Sequence, residues 1–299
     1  MRALTTLILS AVLSLTAACS GTSDPAPIAP AAATAPATSA ALDRPEAIVS
    51  LSPTATEMLF AVGAGDQVIA VDDQSDYPPE APVTDLSGFE PNLEAIIGYS
   101  PDLVVAADDT GDLAAGLEAA GVDLLLLPAA AGLDDTYAQL EQVGAATGRS
   151  AEAEEVVAQI QGDIDDILAG LPAAAEGLTY YHELDPTYYS VTGGTFIGEV
   201  YDLIGLTSIA DETSGDAYPQ LSPEFIVSAD PDVIFLADTV CCGVTPEQVA
   251  ARDGWSTMSA VNGGRIYPID EDIASRWGPR IVDFMRTVAD QVAQLAPVG

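Results

Sequence analysis

NLEAIIGYSPDLVVAA, residues 92–107, and SPEFIVSADPDVIFLA, residues 222–237, align without a gap at an offset of 130 positions. Glu94 falls on Glu224, Ile96 on Ile226, Pro101 on Pro231 and Asp102 on Asp232. Each copy reads as a short helix with an early glutamate, a Pro-Asp turn and an apolar run of strand length. A weaker echo pairs TEMLFAVGAG with IGEVYDLIGL. One match could be chance among common βα units. Two in the same order predict two lobes of similar plan.

The surrounding chain agrees. AIVSL reads as a buried strand, PTATEMLFAVG as a helix closed by Gly63, and QVIAV as the next strand. DLAAGLEAAG is helical, and VDLLLLP is again a strand. This alternation predicts an α/β fold with mostly parallel sheets. From Leu133 to about Gly170 the pattern is helical, with a break near Gly148, and its second part, SAEAEEVVAQIQGDIDDILAGL, is long and amphipathic. The boundaries that follow are an N-terminal lobe over 44–148, a connecting helix over 149–171 and a C-terminal lobe over 172–299.

Charge excludes some partners. Eight basic residues, all arginine, face 46 acidic ones, for a net charge of −38. So acidic a surface repels nucleic acid and anionic lipid. The start, MRALTTLILSAVLSLTAACSG, has one positive residue before an apolar run too short for a stable membrane span. A signal peptide over 1–18 is expected. LTAAC resembles a bacterial lipoprotein box, so Cys19 is the expected lipidation site. The Ala, Pro, Ser and Thr of residues 19–43 read as a disordered tether. The domain is thus expected outside the cell, held to the outer face of the cytoplasmic membrane. Two lobes on such a tether suggest a binding protein with its ligand between them.

The remaining cysteines, Cys241 and Cys242, are adjacent. Free thiols, a strained vicinal disulfide and intermolecular pairing all stay open. No further ligands of metal-site spacing stand near them. With one histidine, no P-loop, no G-x-S-x-G and no H-E-x-x-H, an enzyme is not expected. The aspartates at 163, 165 and 166 lie on a helix without a ligand-loop glycine, so no metal site is assigned there.

YYHELDPTYYS, residues 180–190, holds the single histidine and four of the ten tyrosines. Strand alternation sends Tyr180 and His182 to one face and Tyr181 to the other. Asp185-Pro186 then turns the chain, which puts Tyr188 and Tyr189 at the cleft as stacking surfaces. His182 reads either as a satisfied core histidine or as a ligand to a metal-bearing cargo.

VSLSPTATEMLFAVGAGDQVIAVDDQSDYPPEA, NLEAIIGYSPDLVVA and SRWGPRIVDF resemble the substrate-binding proteins of ABC importers for cobalamin, ferric siderophores and heme, with cobalamin binders the nearest likeness. The likeness runs from about residue 45 to 294. It implies two Rossmann-like lobes joined by one long helix. It implies no cofactor, a monomer, and a corrinoid or ferric-siderophore ligand passed to an ABC permease dimer. Glu94 and Glu224, already paired by the repeat, take the places of the glutamates that dock on permease arginines. Ser52, Pro53 and Thr54 match the family's first ligand loop, and Asp272 falls where an aspartate contacts corrin amides. Gln74 stands where cobalamin binders have a tyrosine, and Tyr218 replaces a tryptophan. Phe89 and Trp277 lie near, not on, aromatic positions. Arg276, with Arg280, flanks Trp277 and offers positive charge to the pocket. The resemblance thus implies cobalamin or a related corrinoid, with a hydroxamate siderophore or heme as the alternative.

Overall fold

The computed structural model describes residues 44–172, 177–213 and 215–295. The expected signal peptide, Cys19 and the tether lie outside the described residues. Among those described, no helix is long and apolar enough to cross a membrane.

The first half runs β1 (Ile48–Leu51), α1 (Pro53–Ala61), β2 (Val68–Asp72), β3 (Val83–Leu86), α2 (Leu93–Gly98), β4 (Leu103–Ala106), α3 (Leu113–Ala120) and β5 (Asp123–Leu126). Two helices follow, α4 (Leu133–Thr147) and α5 (Ser150–Ala169). The second half continues with β6 (Thr179–Glu183), α6 (Phe196–Ile204), β7 (Thr207–Ser208), α7 (Pro223–Ala229) and β8 (Val233–Leu236). It closes with α8 (Pro246–Ala250), α9 (Ser259–Asn262), β9 (Ile266–Pro268), α10 (Glu271–Ser275) and α11 (Ile281–Leu295).

Two parallel sheets result, ordered β3-β2-β1-β4-β5 and β7-β6-β8-β9. In each, the chain steps outward from a central strand, returns, and steps outward the other way. The switch falls between β1 and β4 in one sheet and between β6 and β8 in the other. Crevices outside the carboxyl ends of strands at such points are where open α/β sheets hold ligands.

The repeat seen in the sequence has a structural cause. Asn92 and Ser222 cap α2 and α7 by accepting from the backbone N–H of Ala95 and Phe225. Asp102 then accepts from the backbone N–H of Glu46 and Ala47, at 2.8 and 3.0 Å, just ahead of β1. Asp232 does the same work ahead of β6, accepting from the Thr179 N–H at 2.9 Å and its hydroxyl at 3.1 Å. Each aspartate pins the start of a central strand to the start of its neighbour. β3, which the sequence pattern does not announce, is an added edge strand beside β2: VTDL is short and half polar.

The break between α4 and α5 is at Gly148, which adopts φ +70° and caps α4 without a Cβ penalty. The 20 residues of α5 make a rod of about 30 Å. One apolar core runs from Ile48 and Met58 through Leu140, Val157 and Ile160 to Tyr180, Tyr201 and Phe284. α11 packs on both α5 and α6, so this core is continuous through both halves of the chain.

Candidate functional site

Segments that follow the strands of one sheet touch segments that follow the strands of the other. The Arg276–Arg280 segment, which follows α10, lies against α1 and the loop after β2. Arg276 donates to Glu57 of α1 at 3.2 Å, to Asp76 at 3.1 Å and to the Gln74 carbonyl at 3.2 Å. It also pairs with Asp272 at 2.8 Å. Arg280 grips Glu57 through Nε at 2.9 Å and Nη2 at 2.5 Å, and its guanidinium lies 4.2 Å from the centre of the Tyr77 ring. Glu57 is 3% exposed, so this is a buried two-arginine clamp between the halves. Beneath it, Thr56 bonds Ser50 at 2.8 Å and Ser75 at 2.9 Å, and Ser75 donates to Asp72. That chain of buried polar groups fixes the loop carrying Gln74 and Asp76. A second junction forms where the Leu133 N–H donates to Glu199 of α6 at 2.8 Å.

Several expected ligand residues are placed differently. Ser52 and Thr54 are buried, and the Ser52 hydroxyl caps α1, so only Pro53 of that loop keeps accessible surface. Arg276 is buried and fully engaged by carboxylates and a carbonyl, which withdraws it as a free cation. Arg280 is withdrawn with it. Trp277 turns to the core and donates from Nε1 to Gln139 at 3.0 Å, and Gln139 in turn donates to the Pro128 carbonyl. Tyr188 adopts a positive φ of 70°, which swings its ring inward against Trp255 at 6.2 Å and under the Arg252 guanidinium. It is therefore wall, not lining.

The rest stand at the strand ends. Phe89 is 79% exposed, Tyr218 47%, Tyr77 43% and Tyr189 40%, all on loops beyond strand carboxyl ends. Gln74 is exposed, and Asp272 is half-exposed beside Arg276. Burial raises the Asp272 carboxyl above its ordinary value despite that arginine. Gly88 sits under Phe89 where a Cβ would come within 2.3 Å of the Leu51 carbonyl oxygen, so only glycine lets this loop close on β1. Tyr77 lies in the quoted DQSDYPPEA stretch without a ligand role assigned to it; its exposure and its arginine stack single it out only in three dimensions.

In the second half, Arg252 binds Glu183 with both guanidinium nitrogens at 2.5 Å and stacks 4.6 Å from the Trp255 ring centre. Asp238 is buried beside Glu183, and neither of its carboxylate oxygens has a hydrogen-bond partner among the described residues. Burial, and then the Glu183 charge, push its carboxyl up to about 7. Strand alternation holds through β6: Tyr180 stacks on Tyr201 at 4.0 Å, His182 bonds the Tyr201 hydroxyl, and Tyr181 packs oppositely on Trp255. His182 is fully buried, and burial lowers its imidazole to about 3. Cys241 and Cys242 are exposed and unbridged. Among the described residues no group of three or more His, Cys, Asp or Glu is placed to hold a metal ion.

These two groups give pH dependence of opposite sign. Asp238 holds its proton better when folded, so its stabilisation is full below about pH 4 and lost as pH rises to about 7. His182 is held neutral, so its contribution is full above about pH 6.5 and lost as pH falls towards about 3. The two partly cancel in the native protein, so the difference between variants is the useful measurement. Asp238→Asn leaves a neutral side chain beside Glu183 at every pH. Its melting temperature should gain on the native protein as pH rises from about 4 to about 8. Parallel curves across that range would remove Asp238 from the account.

Glu94 and Glu224 are both exposed, each in the first turn of its capped helix. Among the described residues no ion pair or side-chain hydrogen bond engages either carboxylate.

Comparison with known proteins agrees with this architecture. The periplasmic binding protein family model matches residues 48–273. The uncharacterized ABC transporter substrate-binding lipoprotein YvrC of Bacillus subtilis is 32% identical, over 83% of this chain and 80% of its own. A cobalamin-binding protein of Halobacterium salinarum is 31% identical, over 82% of this chain and 69% of its own. Among solved structures, the periplasmic vitamin B12 binding protein BtuF of Vibrio cholerae superposes with a TM-score of 0.68 at 25% identity. That match covers 84% of this chain and 99% of the other.

Proposed function

The chain belongs to the periplasmic binding protein family, and from that premise we propose that it captures cobalamin or a related corrinoid for an ABC importer. Proteins of this kind are extracytoplasmic substrate-binding components of ABC transporters, not enzymes. The observation that carries the ligand class is the charge of the strand ends. Arg252, Arg276 and Arg280, the arginines that reach them, are each engaged by a buried glutamate. The exposed surface there is Tyr77, Phe89, Tyr189 and Tyr218, interspersed with Gln74, Asp76 and Asp272. Such a surface suits a large, flat, amide-rich ligand of little net charge, held by aromatic faces and a few hydrogen bonds. It disfavours catecholate or citrate chelates and the propionates of heme, which want clustered cations. A neutral or cationic ferric hydroxamate is the second reading, favoured by the same lack of a free arginine at the strand ends among the described residues.

In this reading Cys19 carries the lipid and residues 20–43 tether the domain outside the cytoplasmic membrane. The protein works as a monomer. Glu94 and Glu224, related by the repeat, meet arginines presented twice by a permease dimer.

Calorimetric and spectral titration with cyanocobalamin, a ferric hydroxamate and hemin separates the readings. Cyanocobalamin should bind at or below about micromolar concentration, with hemin far weaker. Binding of the hydroxamate alone would transfer the protein to iron uptake. Binding of hemin alone would overturn the charge argument.

A further inference from the structure

We propose that a cavity between the ends of β6 and β8 is a subsite for one neutral carboxamide side arm of the ligand, its tip read by His182. This deepens the corrinoid reading and rests on it.

The cavity holds about 250 Å³. Its walls are Leu184, Ile197, Ala237 and Ala274, and its rim is Cys241, Glu271 and Ser275. Leu184 directly follows β6 and Ala237 directly follows β8, so the cavity lies at the strand-order switch of the second sheet. Cys241 follows β8, and Glu271 and Ser275 are the ends of α10, which follows β9, so the rim stands beyond the carboxyl ends of these strands. The polar group inside is His182. Its Nδ1 is 2.8 Å from the Tyr201 hydroxyl, while Nε2 is buried and has no partner among the described residues. A buried ring nitrogen left bare is costly, and no group among the described residues satisfies it.

The chemistry of the site selects among side arms. A methylene shaft suits the four aliphatic walls. At the tip, an amide offers both a carbonyl acceptor and an N–H donor, so it satisfies Nε2 in either imidazole tautomer. A carboxylate only accepts, and meets only the tautomer with hydrogen on Nε2. It would also find no positive charge, because burial holds this imidazole neutral. Glu271 adds repulsion at the rim: its carboxylate holds the backbone N–H groups of Val240 and Cys241 and so fixes a negative charge beside the mouth. An arm ending in an amide is accepted, and the same arm ending in an acid is refused.

The test uses cyanocobalamin and its monocarboxylic acids, in each of which one peripheral amide is hydrolysed. Native protein should bind one of the acids at least about tenfold more weakly than the parent and the other acids. Ser275→Trp, a change at an exposed rim position, should plug the mouth. Parent affinity should fall about tenfold and the discrimination should vanish. His182→Phe, provided that it folds by circular dichroism, should remove the discrimination as well. If the parent and every acid bind alike to native protein, or if Ser275→Trp still discriminates, the subsite is overturned while the corrinoid reading stands. If native protein does not bind cyanocobalamin at all, the corrinoid reading falls and the subsite with it.

Discussion

Cells whose protein carries Glu94→Ala together with Glu224→Ala are expected to lose ligand uptake, although the purified variant binds ligand as tightly as the native protein. Both carboxylates stand exposed in the first turn of short capped helices, α2 and α7, on structurally equivalent βα units. Neither is tied to a neighbour among the described residues, so their removal costs the fold little. A lost charged contact at a partner surface is worth about 1.5–3 kcal/mol, so two together should weaken docking about a hundredfold or more. Each single variant should show the smaller part of the loss. Both halves are measurable, uptake with labelled ligand and affinity by calorimetry. Uptake unchanged in the double variant would remove the docking role. Affinity lost along with uptake would move these residues into the ligand site.

The second large effect concerns stability. Glu57→Ala leaves Arg276 and Arg280 facing each other without the buried carboxylate that separates them. Arg276 keeps its ion pairs with Asp76 and Asp272, but Arg280 keeps the Tyr77 ring and the Asp270 charge, with no ion pair left to it among the described residues. Removing one member of a buried ion pair costs about 3–5 kcal/mol. The retained aspartates argue for the lower end, about 3 kcal/mol, or a melting temperature lower by roughly 6–12 °C in a chain of this size. Glu57→Gln keeps an acceptor without the charge and should fall between. Thermal denaturation of the two variants measures this directly. A Glu57→Ala protein that melts with the native one would show the clamp to be ornamental to stability.

The sequence carried the fold further than it carried the site. The repeat at 92–107 and 222–237 was legible because the same local job is done twice, a capped helix turning through an aspartate that pins a central strand. The helical break was legible because Gly148 leaves a local signature. β3 was not, because an edge strand of four half-polar residues has no periodicity to read. The clamp was invisible for a different reason. Glu57 and Arg276 are 219 positions apart, and nothing in TATEM or SRWGPR says that one charge is reserved for the other. That is why Arg276 read as a free cation. Tyr188 and Tyr189 show the limit within a single turn, since only the positive φ of Tyr188 decides which ring faces inward.

One feature of the frame bears on timing. Because a single apolar core threads both halves and α5 stands between them as a rod, prising the mouth apart would disturb the same packing that keeps the chain folded. A ligand entering such a preformed mouth would do little work on the protein and would not be enclosed by a large closure. Its release then has no internal trigger. The moment of unloading would be set by the membrane machine that grips both ends of the molecule, and without that machine the loaded protein should lose its cargo only at the slow intrinsic off-rate.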